Sequence, residues 1–274
     1  MDDSPLLSIC IPTFNREDHV VALVGSLLKS EGSFEVCVHV DGSTDNTRFR
    51  LQQILDSRLR LTCEVNRGRA NAIATTISQS RGKFIMLFDD DDTLYPAGLQ
   101  QVLIDCELPL PAEVCGYIYN MDGTIGHGSP GIKNGVLANF LSLRADRSLR
   151  GDKKEVVVAS LVKSASADFA GVHRRVPTSL LWARVALTTD VYFRDFVVGK
   201  KHYLPAGLTD DMASLKKANA APMVSLYVTH VRGYLLGRYK SPRFLLKALL
   251  GVVLYTLYNG LNLLTAARWK KKHV

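Results

Sequence analysis

The apolar run Phe84-Ile85-Met86-Leu87-Phe88 leads straight into four aspartates, Asp89 to Asp92. A short apolar run of this kind reads as a buried strand. Four adjacent carboxylates cannot follow it inward, because each raises its neighbours' pKa unless a cation or strong donors compensate. The acids therefore belong at the strand's C-terminal end, where α/β sheets place their ligand sites. A hard divalent ion with oxygen ligands is the natural partner for them. The competing reading is a solvated turn that opens a helix, since aspartate is favoured at N-caps.

The preceding segments repeat the pattern. Leu6 to Ile11 is a short apolar strand ended by Pro12-Thr13-Phe14-Asn15, and Val20 to Leu28 has helical spacing. Phe34 to Val40 is a second strand, closed by the turn-rich Asp41-Gly42-Ser43-Thr44-Asp45-Asn46. Arg48 to Leu55 reads as helix, Leu59 to Val65 as strand and Ala70 to Ser80 as helix. This order implies an α/β protein with a mostly parallel sheet and helices on both faces. Right-handed crossovers put the C-terminal end of every strand on one edge. Thr13 to Arg16, Asp41 to Asp45, Asn66 to Arg69 and Asp89 to Asp92 then converge on one crevice. Acids, guanidinium groups and small polar residues together suit a phosphorylated ligand and a metal. Further on, Val156 to Val162 reads as a strand, and Thr178 to Leu187 is apolar with Trp182 and Arg184.

Charge divides the chain. The formal net charge is +8, yet Asp211 is the last acidic residue and eleven of the 34 basic residues follow it. The remainder holds 23 basic against 26 acidic residues, so the positive excess belongs to the C-terminal part. There Phe244 to Ala267 is strongly apolar, interrupted by Lys247, Asn259 and Asn262 and bracketed by basic clusters. Its length approaches that of a membrane span, but basic residues at both ends give no positive-inside asymmetry. An in-plane helix on anionic lipid is expected instead; a buried helix and a homodimer interface are the alternatives. The five cysteines lack metal-ligand spacing, and the acidic Met1-Asp2-Asp3 start is unlike a secretory signal, so a reducing cytoplasm is expected.

Ser8 to Arg16, Val40 to Thr47, Asn66-Arg67-Gly68-Arg69-Ala70 with Ala72, and Gly82 to Asp92 resemble, in order, the motifs of the family-two glycosyltransferases. The resemblance covers about the first hundred residues. It implies a GT-A-type, Rossmann-like fold and a nucleotide-diphosphate sugar donor, commonly a UDP-sugar. By the same resemblance Asp41 contacts the base, and Thr13 and Phe14 frame its pocket. Asp89 and Asp91 occupy the acidic places of the DxD motif with Asp92 beside them, and Asp90 is the middle place, grouped with the donor-binding residues. Through Mn²⁺ or Mg²⁺ these acids would hold the diphosphate, and Arg69 would add a donor to phosphate. His230 stands where some relatives have a histidine near the metal.

In the second half, Leu208-Thr209-Asp210-Asp211-Met212 resembles the acidic pair that faces the acceptor. Asp211 is assigned as catalytic base, with Asp210 as neighbour or alternate, and Arg174, Arg175, Trp182 and Arg184 are candidates for the acceptor wall. Thr265-Ala266-Ala267-Arg268-Trp269 lacks the Gln of the processive Gln-x-x-Arg-Trp motif, which favours single-sugar transfer. The expected organisation is a donor-binding half (1–110), an acceptor-binding and catalytic half of the same domain (111–235), and a basic amphipathic tail (236–274). The expected function is inverting transfer of one sugar to a saccharide or lipid-linked acceptor in surface polysaccharide synthesis, on the inner membrane face. The alternatives are a nucleotidyltransferase, which would want a Gly-rich basic loop after the first strand, and a non-catalytic binder of nucleotide sugar or nucleic acid. The tail argues against nucleic acid, because its charges flank an apolar core.

Overall fold

A computed structural model describes residues 4–123, 134–145, 151–171, 173–202 and 212–272. The strands are β1 (Leu7–Thr13), β2 (Phe34–Asp41), β3 (Leu59–Glu64), β4 (Phe84–Leu87), β5 (Thr93–Leu94), β6 (Val114–Asp122), β7 (Leu137–Ala138), β8 (Lys153–Val158) and β9 (Asp190–Lys200). The helices are α1 (Glu17–Leu28), α2 (Thr47–Gln52), α3 (Arg69–Gln79), α4 (Pro96–Glu107) and α5 (Phe140–Ala145), then α6 (Ala159–Ala165), α7 (Thr178–Val185), α8 (Met212–Ala218), α9 (Ala220–Leu235) and α10 (Pro242–Lys272).

Every residue of β1, β2 and β4 is buried; β4 accordingly reads as an unbroken apolar run, while β1 and β2 also bury Ser8, Glu35 and His39. One sheet runs β3-β2-β1-β4-β8-β6-β9-β5, with β7 pairing off β9. The first four strands are parallel to one another. Beyond them the sheet is mixed, since β8 is antiparallel to both of its neighbours and β6 parallel to β9. The α/β architecture is as expected, but the sheet is mixed rather than mostly parallel, its one continuous parallel run being β3-β2-β1-β4 in the half that builds the crevice. From β1 the chain goes to β2 on one side and later to β4 on the other, so the C-terminal end of β1 is a topological switch point.

The strand expected over 156–162 is half strand and half helix. β8 ends at Val158, and Ala159 turns into α6, its N–H donating to the Lys83 carbonyl at 2.9 Å. Two buried clusters sandwich the sheet, one built on α1 and α4 and the other on α3, α6, α7 and α9. Trp182 belongs to the second, 5.9 Å from the Phe140 ring.

The C-terminal α10 lies along α9. On its inner side Ala248 is buried, Tyr255 stacks on Tyr227 at 5.6 Å, and Asn262 donates to the Lys217 carbonyl at 2.9 Å. Gly251 passes so close to the Tyr227 ring that a Cβ would stand 2.6 Å from it. On the opposite side Leu246, Leu250, Val253, Leu257, Leu261 and Leu264 are exposed. Their spacing of three and four residues makes one apolar stripe, about 27 Å long at 1.5 Å per residue.

Candidate functional site

The ends of β1, β2 and β4 are held together by their own polar side chains. Asn15 takes the left-handed conformation (φ 50°), and its side-chain oxygen accepts the Thr44 N–H at 2.8 Å. The buried Asp41 carboxylate accepts the N–H groups of Arg67 and Gly68, each at 2.8 Å. It thereby docks the start of α3 against β2. Gly68 (φ 95°) is needed here, since a Cβ would lie 2.6 Å from the Arg174 carbonyl. Its neighbour Ala70 donates to that same carbonyl at 3.1 Å. The stretch 173–177 is thus drawn from the second half of the chain onto the start of α3.

These contacts frame a cleft of about 620 Å³ lined by Thr13, Phe14, Asp41, Arg69, Asp89, Asp90 and Asp91. Seven of the residues assigned from the sequence therefore meet in one place. Cations not assigned to the donor site complete it: Arg16 from the end of β1, Lys201 after β9, Lys216 on α8, and Arg174 and Arg175, which were candidates for the acceptor wall.

Within the aspartate run each residue has its own environment. Asp89 receives Arg69 at 2.5 Å and Lys201 at 3.0 Å. Burial opposes its ionisation, but Arg69, Lys154 and Lys201 outweigh burial and hold its carboxyl well below the usual range. Asp90 accepts the Thr13 hydroxyl at 2.6 Å; burial, reinforced by the charge of Asp91, pushes its pKa up to about 6. Asp91 faces the cleft and makes no hydrogen bond or ion pair among the described residues.

Asp92 corrects the expectation of a cleft-facing metal ligand. It is buried and does not line the cleft; it accepts the His202 N–H at 3.1 Å and pairs with Lys201 at 3.4 Å. Burial raises its pKa against the pull of Lys154 and Lys201. Its work is to fix the chain after β9. Nor does His230 reach the cleft. It sits on α9 against the rings of Phe244 (5.0 Å) and Tyr227 (5.8 Å), with both ring nitrogens buried and without a hydrogen-bond partner among the described residues. Burial first, then Arg144 and Lys247, lowers its pKa to about 4. Arg184 is likewise elsewhere, paired with Asp168 at 2.5 Å. Asp210 and Asp211 lie outside the described residues.

The expected set Asp89, Asp91, Asp92 and His230 does not assemble. Among the described residues no group of three or more His, Cys, Asp and Glu is arranged to hold a metal ion. A divalent ion that arrives with phosphate oxygens and keeps its waters needs only one or two protein carboxylates. Asp91, with Asp89 beside it, fits an ion of that kind and not one caged by the protein alone.

Lys201 and Lys216 carry no motif of their own. The clustering of Gly199-Lys200-Lys201-His202 after an alternating strand is the signal that could have found the first.

The family model for glycosyl transferase family 2 matches residues 8–167. Over 94 residues the chain is 40% identical to the UDP-Glc:alpha-D-GlcNAc-diphosphoundecaprenol beta-1,3-glucosyltransferase WfgD of Escherichia coli, covering 34% of this chain and 37% of the relative. The chain thus spans little more than a third of the length of that curated relative. Among solved structures it is similar to S. aureus TarS 1-349 in complex with UDP-GlcNAc, with TM-score 0.60 and 18% identity, covering 84% of this chain and 72% of the other. It is similar too to the mannosyltransferase PcManGT from Pyrobaculum calidifontis in complex with GDP-Man and Mn²⁺, with TM-score 0.55 and 16% identity, covering 96% and 80%. At such identities the two structures speak for the fold.

Proposed function

The chain belongs to glycosyl transferase family 2, and on that premise we propose that it moves one sugar from a nucleoside-diphosphate sugar, a UDP-sugar in first place, to an acceptor hydroxyl. The observation that carries this reading is the meeting of Thr13, Asp41, Arg69 and Asp89–Asp91 in one cleft at the switch point of the sheet. Phe14 and Thr13 flank the place of the base. Asp41 holds the loop 66–68 and retains lone pairs for the base, since a carboxylate offers about four acceptor sites.

Asp91 and Asp89 would hold Mn²⁺ or Mg²⁺ at the diphosphate. Bound there, the ion offsets the negative charge that develops on the departing nucleoside diphosphate without moving a proton. Arg69 and Lys201 bring two further cations to the same place. The acceptor hydroxyl oxygen attacks the anomeric carbon from the face opposite the diphosphate. One C–O bond forms as the other breaks, which inverts the configuration. Asp211, with Asp210 as alternate, is assigned to take the hydroxyl proton. Asp211 directly precedes α8, whose Leu215 and Lys216 line the cleft.

The acceptor is a saccharide, carried on lipid. Two observations support this: WfgD is named for an acceptor on diphosphoundecaprenol, and α10 presents an exposed apolar stripe with basic residues on both flanks and no acid after Asp211. That charge pattern suits an anionic bilayer surface and opposes pairing with a second copy of the same cationic helix. Because α10 is seated lengthwise on α9, the reading is a helix lying in the plane of the inner leaflet, with the protein peripheral on the cytoplasmic face.

The test is a melting-temperature screen of UDP-glucose, UDP-GlcNAc and GDP-mannose with Mn²⁺, followed by NMR of the anomeric centre in any product. Metal-dependent stabilisation by one of them and an inverted product are expected. If no nucleotide sugar stabilises the protein, the proposal fails.

A further inference from the structure

Four of the cleft's cations make no ion pair among the described residues; Arg16 stands within the field of Asp90 and Arg174 donates to the Asn66 side-chain oxygen, which leaves Arg175 and Lys216. Arg69 is answered by Asp89, and Lys201 by Asp89 and Asp92. Arg175, just before α7, and Lys216, on α8, line the same cleft, yet their side chains make no hydrogen bond or ion pair among the described residues. Arg175 faces another cation instead. Burial and the neighbouring Arg69 guanidinium both lower its pKa, so its charge is held against repulsion in the free protein. An anion at this wall would relieve that cost.

On the donor reading the diphosphate sits at the aspartate run with the divalent ion, Arg69 and Lys201, so the anion at this wall is a different one. Arg175 and Lys216 come from the stretch 173–177 and from α8, on the side of the cleft that carries Leu215, Asn219 and Met223.

We propose that Arg175 and Lys216 form a phosphoryl subsite for the acceptor, so that the acceptor is a saccharide bearing a phosphate or diphosphate ester. The proposal rests on the donor reading of the cleft given above. A planar guanidinium matches two phosphate oxygens at once, and an ammonium adds a point charge that tolerates either ester. The surroundings suit a phosphate attached to hydrocarbon. Met223 lines the cleft, and one turn further along α9 Tyr227 packs on Gly251 and Tyr255 of α10, beside Leu250 and Leu254. Apolar and aromatic side chains of α9 and α10 therefore stand between the cleft and the exposed stripe.

The experiment uses the full chain with UDP and Mn²⁺ at saturation, so that the donor side is filled. Two probes are titrated: glycerol 1-phosphate in solution, and polyprenyl phosphate in phosphatidylcholine vesicles against the same vesicles without it. The wild type is expected to bind at least one probe. Arg175→Gln/Lys216→Gln should weaken that binding at least tenfold while UDP affinity changes less than threefold. Binding of the vesicle probe alone assigns the phosphate to lipid, and binding of both assigns recognition to the phosphoryl group itself. Arg175→Lys keeps the charge and loses the fork, so it should fall between the two and report on the subsite even where the double variant folds poorly. The proposal is overturned if the wild type binds neither probe, if the double variant binds them as the wild type does, or if it loses UDP tenfold, which would give both cations to the donor. Should UDP fail to bind while probe binding still depends on the pair, the donor reading falls and the subsite stands.

Discussion

The Lys201 ammonium lies 3.0 Å from an Asp89 carboxylate oxygen, joining the end of β9 to the acidic run after β4 across 112 residues of chain. The same ammonium reaches Asp92 at 3.4 Å. Removing it leaves two largely buried carboxylates short of a cation, a loss worth roughly 3 kcal/mol in comparable buried pairs. Lys201→Met should lower the urea midpoint accordingly and weaken UDP binding in Mn²⁺. Unchanged stability would show that Arg69 and Lys154 suffice.

Asp91 makes no hydrogen bond or ion pair among the described residues, so replacing it should leave the fold intact. Asp91→Ala is expected to keep the wild-type melting temperature within a few degrees. It should abolish the gain in UDP affinity that Mn²⁺ confers, a loss of at least tenfold by calorimetry. An undiminished gain would move the ion to other ligands.

Asp211→Asn should retain donor binding and lose transfer by about 10²–10⁴-fold, the usual range for a general base. Asp210→Asn, measured beside it, distinguishes the pair: the base is whichever substitution removes turnover without altering UDP affinity.

His230 gives a pH prediction for stability. Its pKa is about 4 in the folded protein and near 6.5 in an unfolded chain. Between those values the unfolded state binds a proton that the folded state refuses, so stability falls as pH drops from 6.5 towards 4. The depressed pKa comes from burial and from Arg144 and Lys247, with Tyr227 and Phe244 against the ring and the Tyr239 hydroxyl on its backbone carbonyl. The contribution across the window is roughly 3 kcal/mol. His230→Phe keeps a ring and removes two buried nitrogens. Denaturant melts at pH 7 and pH 4.5 should differ less for this variant than for the wild type, and an equal difference would sink the assignment.

Deleting residues 242–274 should end co-sedimentation with vesicles containing phosphatidylglycerol, and binding of the intact protein should weaken with salt. A truncated protein that still sediments with these vesicles would place the membrane contact elsewhere.

The cleft was legible because β1, β2 and β4 are buried on both faces and most of the residues assigned to the cleft lie at or just beyond their ends. Asp41 ends β2, Arg69 opens α3 and Asp89–Asp91 follow β4 within four residues, where topology alone aims them at one edge. What the pattern missed arrives from far along the chain. Lys201 follows a strand whose register with β6 shifts three times, so nothing periodic pointed to it. Val156 to Val162 is apolar but for Ser160, and such a run does not reveal that the chain changes from strand to helix at Val158. His230 was placed by resemblance, while the burial of Leu226, Thr229, His230 and Gly233 at helical spacing puts it on the packed face of α9. The role of Asp92 was hidden because four identical residues in a row give no clue to which one turns inward.

The seating of α10 on α9 has a consequence for how a substrate is found. A helix joined to its enzyme by a loose linker confers only nearness to a surface, and the active site tumbles. Here Tyr255 on Tyr227, Gly251 against the same ring and Asn262 on the Lys217 carbonyl fasten the helix along its length. The stripe and the cleft therefore turn as one rigid piece. Resting on a bilayer, such a body meets its acceptor by a two-dimensional search at constant tilt, and the height of the cleft above the lipid is set by the thickness of α9.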